Sequence, residues 1–399
     1  MHVLQPQVAE FVRSQVIPAE AALAAGGEQG RAALGALQQR ARAAALWAIP
    51  LPVALGGQGL GLTDYAGIAE AEGYSDYGPV ALGSDSLLDA TMLDTYATAA
   101  VRDRYLGPMV AGRCPPSFAM TEPQVPGTDP AALRTSAVRD GDDWVITGRK
   151  WFTSRAADAG FTTVVCRTGP GSADDDPTGR SSLSLLLVPT TAPGYRIVRQ
   201  LPVLGAGGQY EIALDGVRVP GDHLIGAAGA GLRIVAGRLS LGRTLRCLRW
   251  LGQTARAFDL MCRRLTGRQV GTAVLADKQL LHGYVFDSHA ELAAARALTR
   301  AAVAALAAGG DARTATGTAK VVAARAFHAV VDRAVQVYGA EGLTDDTPLA
   351  MLLRAARAAR ILDGPDELHV TTVATRLLAD YQATNGGVAD CAASAAARK

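Results

Sequence analysis

The apolar residues of this chain change their period twice, and that order narrows the folds open to it. Up to about residue 112 they recur with helical spacing: Val8, Phe11, Val12 and Val16 form one stripe, residues 32–47 a second run, and short apolar helices continue through Tyr105 and Met109. A loop holding Pro50, Pro52, Gly56, Gly57, Gly59 and Gly61 interrupts them, with Thr63 the expected cap of the next helix. From 113 to about 222 the pattern turns strand-like. Residues 144–147, 161–166, 183–188 and 195–198 read as strands and 211–219 as a strand pair, with turns at Asp140-Gly141-Asp142 and Asp215-Gly216. Residues 169–181, polar and carrying three consecutive aspartates, read as a solvent loop. Helical period then returns in long runs over 231–268, 277–306 and 314–338, and on both sides of Asp363. No helix of crossover length separates the strands, so the middle zone is expected to be an antiparallel barrel or sandwich rather than a dinucleotide-binding parallel sheet. The expected organisation is an N-terminal all-helical domain over 1–112, a middle antiparallel β domain over 113–222 and a C-terminal four-helix bundle over 223–399. The last zone is too apolar for helices facing only water, which points to a homo-oligomer.

Composition removes several functions. A net charge of +2 over 399 residues gives no footprint for nucleic acid or an acidic membrane surface. Cys114, Cys166, Cys247, Cys262 and Cys391 are scattered and odd in number, which suits neither a disulfide framework nor a zinc site. The six histidines do not cluster. The first twenty residues carry early polar groups and do not read as a signal peptide, and the apolar stretch 301–308 is too short for a membrane span before Gly309-Gly310 ends it. A reducing, cytoplasmic setting is expected.

One short segment reads as chemistry. In Leu362-Asp363-Gly364-Pro365-Asp366-Glu367-Leu368-His369, Gly and Pro stop one helix and Pro can begin the next, leaving Asp363 at a corner where a backbone N–H need not join a helix ladder. A base beside such an N–H is what proton abstraction next to a carbonyl requires. On local pattern alone, a helix–helix turn with solvated acids is the more economical reading.

Five motifs in order, this segment the last of them, change that balance. Phe118-Ala119-Met120-Thr121-Glu122-Pro123 opens the β zone, Gly148-Arg149-Lys150-Trp151-Phe152-Thr153-Ser154 follows, and Gly237-Arg238-Leu239-Ser240-Leu241-Gly242-Arg243 begins the bundle. Asp332-Arg333-Ala334-Val335-Gln336-Val337-Tyr338-Gly339 and Asp363-Gly364-Pro365-Asp366-Glu367 complete the set. With these, the chain resembles the acyl-CoA dehydrogenase family over nearly its full length, and is especially similar to the subgroup of family members 10 and 11, which uses Asp-Gly-Pro-Asp-Glu where most members have Glu-Gly-Thr.

The resemblance implies FAD as cofactor, an acyl-CoA or other acyl thioester as substrate, electron-transferring flavoprotein as acceptor, and a homodimer or homotetramer. Asp363 matches the general base that removes the α-proton, and Arg243 lies near that base in the family. Gly242 stands where another branch carries its base and cannot take a proton. Met120 and Thr121 match contacts to the isoalloxazine ring, Thr128 a pyrophosphate contact, Trp151 a ring cover and Thr153 a hydroxyl near N5 or O4. Arg268, Gln336 and Gly339 match positions that meet a neighbouring subunit's FAD.

The chain departs from the family pattern at several points. Anchored on Arg268, the family's Phe falls on Gly271; anchored on Gly271, it falls on Val270 and the arginine on Gly267. Ala340 replaces the second glycine of the cofactor turn, and Glu341 adds an acid that would repel a pyrophosphate unless it points away. The leading expectation is FAD-dependent oxidation of an acyl-CoA to a trans-2-enoyl-CoA. The alternatives are oxidation of a carrier-protein-bound thioester and a catalytically silent subunit with an interface role.

Overall fold

The computed structural model describes residues 2–169 and 182–383, so the expected loop over 169–181 lies, after Gly169, outside the described residues. The chain falls into two compact units. One gathers Met1–Pro50, Gly59–Leu82 and Ser240–Lys399, the other Leu51–Gln58 and Gly83–Leu239.

The first unit is helical. Its N-terminal part holds α1 (Leu4–Phe11), α2 (Gly27–Ala43) and α3 (Leu62–Glu72). The stripe from the sequence is buried as spaced: Val8, Val12 and Val16 are fully shielded. Helix α3 starts one residue before Thr63, with Gly61 at the cap position and no side-chain cap bond. The remainder of the unit comes from the C-terminal half of the chain. Helix α4 spans Gly231–Gly267, with its residues from Ser240 onward in this unit, followed by α5 (Gln279–Ala307), α6 (Arg313–Tyr338), α7 (Leu349–Ala359) and α8 (Asp366–Ala383). Helix α6 is central and packs against α5, α7 and α8. Its buried face alternates small and large residues, with Ala319, Ala323, Phe327, Val330, Val331 and Ala334 nearly or fully shielded; each large apolar side chain so buried stabilises the unit by about 1.5–3 kcal/mol.

Two glycines bring backbones together in this unit. A Cβ on Gly73 would stand 2.5 Å from Arg249 Cα, and one on Gly252 would overlap the Glu70 carbonyl oxygen. The end of α3 therefore crosses α4 with no side chain between them. Ion pairs and a hydrogen bond surround the crossing: Glu70 with Arg296 at 2.6 Å, Glu20 with Arg256 at 2.7 Å, and Tyr74 donating to Asp259 at 2.8 Å.

The second unit is built on a sheet in the order β6-β7-β3-β2-β4-β5-β8, with β1 (Pro116–Ala119) also paired to β4. The strands are β2 (Ser136–Asp140), β3 (Asp143–Ser154), β4 (Phe161–Arg167), β5 (Leu183–Pro189), β6 (Tyr195–Val203), β7 (Ala206–Pro220) and β8 (Leu224–Ile225). Pairing is antiparallel except where β4 runs parallel to β1 and β2. The core holds Trp144, Ile146, Val164, Leu186, Val188, Ile212, Leu214 and Val217. Strands β4 and β5 are buried along almost their whole length, which explains their unbroken apolar and threonine runs.

The expected turn at Asp140-Gly141-Asp142 does link β2 to β3. The one expected at Asp215-Gly216 does not form. Strand β7 continues through it, and a register shift opposite Ile146 and Gly148, with Gly216 at φ 66°, marks a bulge. A two-residue Asp-Gly signal serves a hairpin or a bulge equally well, and β3, which pairs with Leu214 on one side of it and Val217 on the other, decides the matter.

Candidate functional site

Asp363 sits between α7 and α8. Ile361 and Leu362 both donate their N–H to the Ala358 carbonyl, at 2.9 and 3.0 Å, and the chain then reverses through Asp363 at φ 55° and Gly364 at φ 101°. A Cβ on Gly364 would stand 2.9 Å from His369 Nε2, so glycine is required for space as well as for φ. A non-glycine residue at positive φ costs about 1–3 kcal/mol and persists where its surroundings over-determine it. Here Arg243 Nε donates to the Asp363 carbonyl oxygen at 2.9 Å, and His369 Nε2 donates to the same oxygen at 3.2 Å. The carboxylate Oδ2 accepts from Arg246 Nε at 2.7 Å.

A second acid anchors the turn from below. Asp366 is 1 % exposed, and its carboxylate receives Arg360 at 2.9 Å and Lys320 and Arg325 at 3.3 Å each. Its backbone N–H closes the turn onto the Arg360 carbonyl at 3.0 Å. Burial alone would raise the Asp366 carboxyl, but these three cations outweigh it and hold it below the usual carboxylate range. Burial pushes Lys320 down, with Asp366 pulling back. His369 is likewise held below its ordinary value by burial and by Arg243. Asp363 strengthens the proton hold of Arg246 against the effect of burial, whereas burial prevails at Arg243. Cys247, next to Arg246 in sequence, is buried and its thiol is pushed up to about 12, so it is no nucleophile.

The expected cofactor turn lies in the same unit. Gln336 is exposed on the last turn of α6, and Gly339 ends that helix at φ 67° with open space beside its Cα. Glu341 does not stand as a loose acid. Arg264 Nη2 lies 2.8 Å from its Oε2, and the same guanidinium sits 4.9 Å from the centre of the Tyr338 ring. Arg268 is exposed at the entry to a small hairpin, Gln269–Val270 against Ala273–Val274, whose turn holds Gly271 at φ 65°.

The second unit carries the other expected cofactor residues. Lys150 is fully buried and donates from Nζ to the Met120 carbonyl and to Glu122 Oε1, both at 2.8 Å. Glu122 also accepts from the backbone N–H groups of Arg134 at 2.7 Å and Thr135 at 2.9 Å. Trp151 donates its backbone N–H to the Thr121 carbonyl at 3.0 Å. Met120 and Thr121 are thus fastened to strand β3 beside Trp151. Thr128 is exposed further along the same loop.

Between Lys150 and Thr153, β3 gains one residue relative to β7, with Phe152 at φ 51°. Simple alternation would put Lys150 and Phe152 on one face; the bulge instead buries Lys150 and Thr153 and leaves Phe152 43 % exposed. Thr153 Oγ1 and Trp151 Nε1 are buried, and neither has a hydrogen-bond partner among the described residues. A buried polar group left unpaired costs about 1–3 kcal/mol unless a ligand supplies the partner.

Arg246, Lys320 and the anchoring role of Asp366 were not legible from the sequence. The spacing of Arg243 and Arg246, three apart on a helix and so on one face, was the available signal for the first.

Three domain models match in chain order. The acyl-CoA dehydrogenase N-terminal domain covers residues 2–113, the middle domain 117–217 and the C-terminal domain 229–378. FadE2 of Mycobacterium tuberculosis, assigned as an acyl-CoA dehydrogenase, is 37 % identical over 358 residues, 87 % of this chain and 86 % of that protein. Human acyl-CoA dehydrogenase family member 11 is 34 % identical over 86 % of this chain, which spans 45 % of that longer protein. Among solved structures, one from Mycobacterium abscessus assigned to the same enzymes superposes with a TM-score of 0.88 at 31 % identity, covering 95 % of this chain and 98 % of that one.

Proposed function

The chain belongs to the acyl-CoA dehydrogenase family, flavin-dependent oxidoreductases acting on CH–CH bonds, and on that premise we propose that it oxidises an acyl-CoA to the trans-2-enoyl-CoA with Asp363 as base. The observation that carries the assignment is the pinned turn: a carboxylate at φ 55°, its carbonyl fixed by Arg243 and His369, between two helices. In the reaction the α-carbon loses a proton, the β-carbon loses a hydride, and the C–C bond becomes double. Asp363 accepts the proton, and a backbone N–H of the same turn holds the thioester oxygen as negative charge builds there.

The residues present fit FAD, which when bound supplies the acceptor for the hydride. The unpartnered Thr153 hydroxyl and Trp151 indole N–H, beside the fastened Met120–Thr121 segment, suit a polar ring system. We assign Thr128 to the pyrophosphate, and Arg268, Gln336 and Gly339 to the FAD of a second subunit. The Arg264–Glu341 pair removes the repulsion that Glu341 would otherwise bring to that turn. A homodimer or homotetramer is supported by the apolar side chains Leu280 and Phe286 on α5 and Leu377, Leu378 and Tyr381 on α8, all of them exposed in the single chain. The Asp-Gly-Pro-Asp-Glu segment supports placing the chain beside family members 10 and 11. Electron-transferring flavoprotein as acceptor and a cytoplasmic setting belong to the same proposal; the free thiols of Cys114, Cys166, Cys247 and Cys262 support the latter.

The test is anaerobic bleaching of the purified protein's flavin across a panel of acyl-CoA and carrier-protein thioesters. Asp363→Asn should retain flavin yet bleach at least ~100-fold more slowly, since a positioned base contributes roughly 10²–10⁴-fold. Near-parental bleaching in that variant moves the base elsewhere. A parent that binds no flavin, or is bleached by no thioester, overturns the dehydrogenase assignment.

A further inference from the structure

Two arginines one helical turn apart on α4 divide Asp363 between them. Arg243 takes the backbone carbonyl at 2.9 Å and Arg246 takes the carboxylate at 2.7 Å. The distance from Arg246 is that of a charge-assisted hydrogen bond, which fixes direction as well as charge. We propose that Arg246 is the positioning residue of the base, keeping the Asp363 carboxylate ionised and aimed for abstraction of the α-proton. The inference rests on Asp363 being the base.

The charged groups around Asp363 have different commitments. From α4 come Arg243, bound to the carbonyl, and Arg246, bound to the carboxylate; Cys247 on the same helix stays a neutral thiol. From α6 comes Lys320, 3.3 Å from Asp366. From α8 come Asp366, matched by Lys320, Arg325 and Arg360, and His369, bound to the Asp363 carbonyl and held toward its neutral form. Asp76 acts on Arg246 through its charge and accepts a hydrogen bond from Gln253 at 3.1 Å. Arg246 thus meets the reacting carboxylate directly, at 2.7 Å, while Arg243 and Lys320 act on it through their charge.

An aspartate has one side-chain torsion fewer than a glutamate with which to seek its target, and here its backbone is locked. The direction of the carboxylate therefore depends on χ1, χ2 and the group it pairs with. Arg246 sits on a rigid helix whose neighbouring residues Thr244 and Cys247 are fully buried, so its reach is set by the scaffold. The two side chains are 37 % and 26 % exposed, and solvent screens the pair in part.

The test compares the parent enzyme with Arg246→Met, Arg246→Gln and Arg246→Lys, each carrying flavin, with Asp363→Asn as control. Two readouts are taken: exchange of the α-hydrogen for solvent deuterium, followed by NMR on the acyl-CoA that bleaches the parent fastest, and the pH profile of turnover. In the exchange the α-proton passes to Asp363 and a deuteron returns to the same carbon. Met and Gln should slow exchange and kcat by about 10- to 100-fold, as misplacement by an ångström does, with KM within a few-fold. Their acid limb should move up by about 1 unit, because an opposite charge at this distance favours the ionised carboxylate and screening trims the effect. Lys should restore the position of the acid limb but not the full rate, since it supplies charge without the planar fork. An unshifted acid limb with parental exchange in Met or Gln, or faster exchange, overturns the proposal. Should Met fail to fold, Gln and Lys decide it. If Asp363→Asn itself exchanges at the parental rate, the base assignment falls, which is a different result from parental exchange in the Arg246 variants alone.

Discussion

Replacing Lys150 with methionine isolates one buried charge pair whose cost can be reasoned in advance. Lys150 is 0 % exposed and Glu122 3 %, and Nζ bridges Glu122 Oε1 and the Met120 carbonyl at 2.8 Å each. Methionine keeps the length and apolar stem of lysine but leaves Glu122 as a buried carboxylate with two backbone N–H donors and no counter-charge. Breaking a buried pair from one side costs about 3–5 kcal/mol. The double variant Lys150→Met with Glu122→Gln removes both charges, so it should be less destabilised than Lys150→Met alone, by at least ~1 kcal/mol. Urea unfolding of parent, both singles and the double closes the cycle. Burial by itself would raise Glu122, but Lys150 and the backbone donors outweigh it and hold the carboxyl below its usual value. A depressed carboxylate contributes stability that is full above the unfolded value of about 4.3 and is lost as pH falls through the lower folded value. Without Lys150 the acid transition should therefore begin at higher pH. A Lys150→Met variant within ~1 kcal/mol of the parent, or a double variant less stable than that single one, would refute the reasoning.

Two further changes test the turn and the strand. Asp366→Asn leaves Lys320 buried without its anion and should cost about 3–5 kcal/mol at neutral pH by urea unfolding; the gap to the parent should narrow only as pH falls well below about 3.9 through the depressed folded value of Asp366, so a constant gap down to that range counts against the ion network. Thr153→Val removes a buried hydroxyl that has no partner among the described residues, so flavin-free stability should hold or rise by up to ~1 kcal/mol, while flavin affinity measured by ultrafiltration should fall roughly 10-fold; equal affinity would mean that the hydroxyl does not face the ring.

The order of helices, sheet and helices was legible because helices and strands bury different patterns: Val8, Val12 and Val16 recur at helical spacing, while β4 and β5 are short continuous runs buried on both faces. The corner at Asp363 was legible because glycine and proline act on the backbone locally. What period cannot show is an extra residue. The bulge at Phe152 turns Thr153 to the buried side, and the bulge at Asp215-Gly216 keeps β7 whole where a turn signal stood. Nor can it show pairings across long separations: Lys320 with Asp366, Glu122 with Lys150 and Arg246 with Asp363 lie 46, 28 and 117 residues apart, and each looks like an ordinary surface charge until the fold closes on it.

The crossing at Gly73 and Gly252 bears on how the helical unit moves. Helices separated by side chains accommodate one another through rotamer changes, a soft layer that absorbs small slides. Where two backbones touch there is no such layer, and neither chain can translate along the other without collision. Rotation about the contact is the motion left, which makes the crossing a fulcrum. The tethers Glu20–Arg256, Tyr74–Asp259 and Glu70–Arg296 then act as stays that limit its swing. Fluctuations in this unit should fan outward from that point, with the smallest amplitudes at residues 70–74 and 249–253.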